Sequence, residues 1–180
     1  MKNNSNYSTL DLILKDSFLD DFLFNELNKS IILQKWEPKE NIYLTTGKHV
    51  WFSSTVFDPI KTIIKENIEK KFNVKIKKII GEFNYTMVLN TKESYPHTDG
   101  VDSNDKDFNT QFILYIKGNN ELTNGTGFYT KKNDNYHLTT HIGFVENRAL
   151  LFKNKVMHSP LKFISQDNTP RFSIIGFLSI

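Results

Sequence analysis

The stretch Tyr95-Pro96-His97-Thr98-Asp99-Gly100 sets an imidazole and a carboxylate two residues apart, shortly after an apolar segment. In an extended chain such residues share one face. Side by side, His97 and Asp99 can hold one divalent cation, and a second imidazole from a distant strand completes a two-His-one-carboxylate triad. His158 is the candidate for that third ligand. Further on stands Arg171, followed by Phe172 and Ser173 in a final run that alternates like a strand.

Composition narrows what this cluster can be. The chain has no cysteine, so disulfides, thiolate metal sites and cysteine nucleophiles are excluded, and any metal is held by nitrogen and oxygen. The net charge of +3 is scattered among acidic residues, and nearly all of the positive charge is lysine. That is a poor match to nucleic-acid recognition, which leans on arginine forks. The only arginines are Arg148 and Arg171, so each calls for its own explanation. The polar first residues lack the apolar run of a signal peptide, and no later segment has the length of a membrane span. A soluble cytoplasmic protein is the expectation.

With 180 residues and 13% aromatics the chain can bury one sizeable core, and a single domain over 1–180 is expected. Residues 1–9 read as a loose tail, 10–73 as a strand and helical support, and 74–180 as a barrel. Leu10, Leu12 and Leu14 alternate with Asp11, Ile13 and Lys15 as in a strand. From Asp20 the spacing turns helical, with Phe22, Leu23, Leu27 and Ile31 on one stripe and Asp20 or Ser17 as cap. Trp36 to Thr55 reads as loops with one or two short strands, and His49 within it is left unassigned. Asp58-Pro59 opens a second helix with Asp58 as N-cap, and Ile60, Ile63, Ile64, Ile68 and Phe72 form its apolar face.

After Phe72 the period changes to short apolar runs broken by Gly, Asn and Asp. Strands are expected at Val74 to Ile80, Glu82 to Leu89, Gln111 to Ile116, Thr126 to Thr130, His137 to Val145, Ala149 to Phe152, Val156 to Phe163 and Arg171 to Leu178. That number suits a jelly-roll barrel, and two helices ahead of many strands give an α+β, mainly β, class with the helices bracing one sheet. Asp102 to Asn109 and Gly118 to Gly127 are polar loops expected near the barrel mouth.

His97 and Asp99 alone are also explained by a surface loop ending at Gly100. His158 adds weight, because an internal strand histidine needs a polar partner or a metal. Arg171 adds more. It shares a strand face with Ser173, and a barrel-facing guanidinium beside a hydroxyl is costly without an anion, for which its planar fork suits a carboxylate. The competing reading sends Arg171 to solvent or pairs it with Asp99 or a glutamate. His137 and His141 are an even number apart and could share a face, but they read as surface or substrate-pocket histidines rather than a second metal site.

Taken in order after an N-terminal helical part, His97-x-Asp99, His158 and Arg171-x-Ser173 resemble the Fe(II)- and 2-oxoglutarate-dependent dioxygenase superfamily. Asp16 to Leu27 is similar to the opening segment of its prolyl-hydroxylase-like members. Gly125-Thr126-Gly127-Phe128 occupies the place of their glycine-rich strand start, and Asn147 to Phe152 also fits. The resemblance implies a double-stranded β-helix in which His97, Asp99 and His158 hold Fe(II), with 2-oxoglutarate as cosubstrate and O2 as oxidant. Arg171 would hold the distal carboxylate of the cosubstrate with Ser173 assisting, and Tyr85 or Asn84 on the first barrel strand is placed to help. Tyr85 as an ordinary core residue is the competing reading.

The activity so implied is an oxidoreductase that releases succinate and CO2 while hydroxylating an amino acid, a peptide or protein side chain, or a small metabolite. Asp99 argues against halogenation, since halogenating members carry a small residue at its position. The alternative is a non-catalytic, cupin-like metal- and anion-binding module.

Overall fold

The computed structural model describes residues 11–39, 51–89, 95–99, 108–118, 123–161 and 169–180. Strand β1 (Leu12–Lys15) forms where the first alternation was expected. Helix α1 (Asp21–Ser30) begins where Asp20 takes an extended backbone and its carboxylate accepts the Leu23 N–H at 2.8 Å. Its buried side is Phe24 and Leu27, continued by Ile31 in the 3-10 turn that follows. Phe22, expected on the stripe, is 74% exposed. It lies two residues, about 200° of helical rotation, from Phe24.

Strands β2 (Glu37–Lys39) and β3 (Trp51–Thr55) pair antiparallel, and helix α2 (Asp58–Phe72) follows. The N-cap of α2 is Phe57, so Asp58 is the first helical residue instead of the cap. There its charge faces the positive end of the helix dipole, and Pro59 still falls in the first turn, where no backbone N–H is required. Ile64, Ile68 and Phe72 are buried along one face, and Asn73 closes the helix in the left-handed region at φ 54°.

The remaining strands are β4 (Lys78–Val88), β5 (Thr110–Lys117), β6 (Gly125–Lys132), β7 (Asn135–Gly143), β8 (Ala149–Lys153), β9 (Met157–Pro160) and β10 (Arg171–Ser179). Two strands expected between Val74 and Leu89 are one. Within β4, Gly81, Glu82 and Phe83 lie opposite the single Gly176 of β10, a bulge that Gly81 makes possible at φ +67°. Gly176 itself leaves room for the Phe83 ring, which a Cβ there would meet at 2.2 Å.

The strands form two antiparallel sheets, β1-β8-β5-β10-β4-β3-β2 and β7-β6-β9. One face of the larger sheet presents Phe83, Tyr85, Phe112, Leu114, Ile116, Ile174 and Leu178, which pack with the buried residues of α1 and α2. The other face presents Ile113, Tyr115, Leu150 and Phe152, which pack with Phe128, Phe144 and Val156 from the smaller sheet and its approaches. The candidate site lies on this second face.

A joint between chain start and β8 holds the two halves in register. The Asn147 side chain accepts from Leu19 N–H at 2.8 Å and donates to Leu19 O at 2.9 Å. Arg148 grips Asp16 with two guanidinium nitrogens, at 2.6 and 3.0 Å, and donates to Gly143 O. The segments around Asp16 and Asn147 are thus two sides of one contact. No described helix is long and apolar enough to cross a membrane.

Candidate metal centre and anion pocket

His158 belongs to β9, and His97 pairs with it as an isolated antiparallel bridge. His97 N–H donates to His158 O at 2.9 Å and His158 N–H to His97 O at 2.8 Å. The bridge sets the two imidazoles side by side, with ring centroids 4.8 Å apart. Asp99, two residues on and therefore on the same face, brings Oδ1 to 3.7 Å from His97 Nε2 and Oδ2 to 3.4 Å from His158 Nε2. The three candidate ligand atoms lie within 4.8 Å of one another.

The other ring nitrogens fix how the imidazoles are turned. His97 Nδ1 lies 3.0 Å from Tyr95 O and His158 Nδ1 3.1 Å from Val156 O. A carbonyl only accepts, which assigns the proton to each Nδ1 and directs each Nε2 toward Asp99. This carbonyl-backed imidazole is the arrangement that orients metal-bound histidines. Phe152 meets the His158 ring edge-on at 4.9 Å, and Phe128 lies at 6.4 Å.

Electrostatics favour the ligating forms. Burial pushes the His97 pKa down, and the neighbouring His158 adds to the effect. For Asp99, burial acts to raise the pKa, but His158, His97 and a hydrogen bond from Gln111 outweigh it and hold the carboxyl below its ordinary range. At neutral pH these shifts leave a neutral His97 and an ionised Asp99.

Arg171 opens β10 and is 5% exposed. Its Nη1 donates to Gly125 O, across to the smaller sheet, at 3.0 Å. Burial pulls its pKa down and Tyr115 opposes that shift. Tyr115, fully buried with its pKa pushed up by burial, places Oη 2.7 Å from Thr126 Oγ1. Ser173 is also buried, with Thr86 Oγ1 donating to its carbonyl at 3.3 Å. On β6, Phe128 pairs with His158, while Gly125 receives Arg171. Three residues of extended strand separate these contacts by about 10 Å.

The structure therefore brings His97, Asp99 and His158 together and sets Arg171 and Ser173 on the same side of the sheet. It does not bring Tyr85 there. Tyr85 is fully buried in the helix-side core, paired with Ile174, and burial pushes its pKa up to about 12 against the effect of the Ser30 hydroxyl. Asn84 pairs with Ile175, two strand pairs beyond Thr86 and Ser173, and donates its amide to Glu82 O at 2.9 Å. Sequence reasoning missed Gln111 and Tyr115. The signal was present: in the run Gln111 to Ile116 one parity is Phe112, Leu114 and Ile116 and the other carries the polar groups.

His137 and His141 do not share a face. A register shift between Phe128 and Tyr129 puts an extra β7 residue between them, so His137 pairs with Thr130 and His141 with Gly127. Those partners are an odd number apart and point to opposite sides. His49 and most of the loops expected at the mouth lie outside the described residues.

No family model matches the chain, and no curated protein matches it. Solved structures do match. An oxidoreductase of the 2OG-Fe(II) oxygenase family from Burkholderia pseudomallei aligns with a TM-score of 0.64 at 10% identity, over 95% of this chain and 86% of that one. The fold is that of the 2OG-Fe(II) oxygenases. The oxygenase fold is shared with a Trichoplax adhaerens prolyl hydroxylase in complex with a hypoxia-inducible-factor peptide, at TM-score 0.67 and 11% identity over 95% of this chain and 84% of that one. It is shared too with a Streptomyces hygroscopicus protein holding nickel, 2-oxoglutarate and hygromycin B, at TM-score 0.63 and 9% identity over 94% and 82%. The resemblance drawn from His97-x-Asp99, His158 and Arg171-x-Ser173 is thus supported by oxygenase neighbours along nearly the whole chain.

Proposed function

We propose that this chain is an Fe(II)- and 2-oxoglutarate-dependent dioxygenase of hydroxylase type, acting on an amino acid, a peptide or protein side chain, or a small metabolite. The observation that carries the reading is the convergence of His97 Nε2, His158 Nε2 and the Asp99 carboxylate, three acceptors aimed at one another. Acceptors so placed repel unless a cation or a proton lies between them. A nitrogen and oxygen donor set of this kind suits a first-row divalent metal with open positions.

His97 and His158 would hold the metal through Nε2, each ring fixed by its backbone carbonyl, and Asp99 would balance part of the charge. Iron with 2-oxoglutarate and O2 supplies oxidative decarboxylation to succinate and CO2 and an oxidant for an unactivated C–H bond. Arg171 would receive the distal carboxylate in its planar fork, with Ser173 and Tyr115 beside it. Phe128 and Phe152 exclude water from the back of His158. In this reading the two sheets close as a double-stranded β-helix braced by α1 and α2, and the enzyme works in the cytoplasm.

Anaerobic mixing with Fe(II) and 2-oxoglutarate is expected to give the weak visible charge-transfer band of a chelated keto acid, and His97→Ala to abolish it. A wild-type chain with no band, behaving as the variant does, would sink the proposal. Succinate formation then separates the enzyme from a cupin-like module, which binds metal and anion without turning over 2-oxoglutarate.

A further inference from the structure

Between the two sheets, Tyr115 of β5 and Thr126 of β6 bring two hydroxyls together out of water. The residues are 1% and 4% exposed, and their oxygens lie 2.7 Å apart. Among the described residues neither hydroxyl makes a second hydrogen bond. Two hydroxyls carry two O–H groups, and the bond between them uses one. The other hydrogen is left in a dry interior without an acceptor, which costs stability unless a further group receives it. Its surroundings identify that group. On β10, Ser173 pairs with Tyr115, and the buried Arg171 lies two residues from Ser173 on the same side. Arg171 Nη1 donates to the carbonyl of Gly125, the residue just before Thr126. A group favoured both by an O–H donor and by a neighbouring guanidinium is an anion. The Phe144 ring, stacked on Tyr115 with centroids 4.8 Å apart, holds the phenol ring in place, so the direction of the hydroxyl is the freedom that remains.

We infer that Thr126 is a positioning residue for the anion pocket: its hydroxyl donates to Tyr115 Oη and so turns the phenol's own O–H toward the carboxylate that Arg171 receives. This rests on the cosubstrate reading given above. Of the two hydroxyls the phenol is the more acidic and the stronger donor, so the charged acceptor takes the phenol hydrogen and the phenol oxygen takes the hydrogen of Thr126. A hydroxyl that accepts one hydrogen bond while donating another is polarised by the first, which strengthens the second. Thr126 thus acts on the anion through Tyr115, without touching it.

The test is a double-mutant cycle on the full chain, read by calorimetric titration with 2-oxoglutarate in the presence of Co(II). Thr126→Val keeps the shape and removes the hydroxyl, and it is expected to weaken 2-oxoglutarate binding about three- to tenfold. Thr126→Ser, which returns the hydroxyl, should restore most of the loss. Tyr115→Phe removes the donor itself and is expected to cost at least about tenfold. In the Tyr115→Phe background, Thr126→Val should change the affinity by less than about twofold, because no phenol hydrogen is left to aim. That double variant leaves no hydroxyl unmatched, so its thermal unfolding serves as the control for the fold. Co(II) affinity, titrated without 2-oxoglutarate, should be the same in every variant. Unchanged 2-oxoglutarate affinity in either single variant overturns the inference. So does an equal loss from Thr126→Val with and without the phenol hydroxyl, or a parallel loss of Co(II) affinity. A wild-type chain that binds Co(II) but not 2-oxoglutarate overturns the cosubstrate reading and the inference with it.

Discussion

On its helix side β5 presents Phe112, Leu114 and Ile116, and on its other side the same strand presents Gln111, Ile113 and Tyr115. β10 divides the same way, with Phe172 and Ile174 toward the helices and Arg171 and Ser173 away from them. Every one of these residues is buried, so burial does not distinguish the two sides. Chemistry does. Among the described residues the helix side is a largely apolar layer, while the other side gathers a guanidinium, an amide, hydroxyls and the His97-Asp99-His158 cluster. An interior that keeps so many polar groups out of water gives up stability for something else. The contrast teaches that the helix side makes the fold and the other side makes the site.

The first way to break this comparison is to cut into the helix side. Phe112 is fully buried and packs its ring against Phe18 at 5.4 Å and Phe83 at 6.1 Å. Phe112→Ala is expected to cost about 3–5 kcal/mol of stability, read as a shifted denaturant midpoint. The fraction that stays folded should bind Co(II) with wild-type affinity. A loss of affinity beyond the loss of folded protein would show that the two sides are not separable.

How much of this division the sequence held depends on which residue is asked about. His97, Asp99 and His158 were legible because a two-residue step and a distant strand histidine carry their geometry in their numbers. Arg171 and Ser173 were legible for the same reason. Tyr85 was placed near them on the strength of its strand, yet Phe83, Tyr85 and Met87 form one parity and Asn84, Thr86 and Val88 the other. Following that alternation would have assigned Tyr85 to the helices. Gln111 and Tyr115 were legible in the same way, since they share the parity opposite Phe112, Leu114 and Ile116, but that alternation went unread. The bulges were not legible at all. Gly81 joins two expected strands into β4, and the shift opposite Phe128 separates His137 from His141, both through hydrogen-bond register that no single strand encodes.

The second test probes the site side and should give the opposite pattern. Arg171→Met removes a charge whose burial is unfavourable, at the expense of the hydrogen bond to Gly125 O. These effects offset, so the thermal midpoint is expected to stay within a few degrees of wild type. Affinity for 2-oxoglutarate should fall by at least about thirtyfold, the equivalent of ~2 kcal/mol for truncating one partner of a buried charge pair. Calorimetric titration with 2-oxoglutarate in the presence of Co(II) reads the second quantity directly. A variant that unfolds while binding is preserved would turn Arg171 into a structural residue and erase the distinction between the sides.

The smallest expected effect comes from the other arginine, which sharpens the comparison by showing what a purely structural one looks like. Arg148 is paired with Asp16, and the hydrogen bond from Arg148, with its charge, holds the Asp16 carboxyl below the usual carboxylate range. A depressed native pKa contributes stability that is fully present above the unfolded-state value and is lost as pH falls through the native one. The contribution should therefore be constant from neutral pH down to about 4 and disappear below it. Asp16 is half exposed, so solvent screening limits the pair to about 0.2–1 kcal/mol. Comparing wild type with Asp16→Asn by urea unfolding at pH 7 and pH 3 should show a small deficit at the higher pH that shrinks at the lower one. A deficit that is unchanged at pH 3 would mean that Asp16 acts through packing, and Arg148 would no longer serve as the structural counterpart in the comparison.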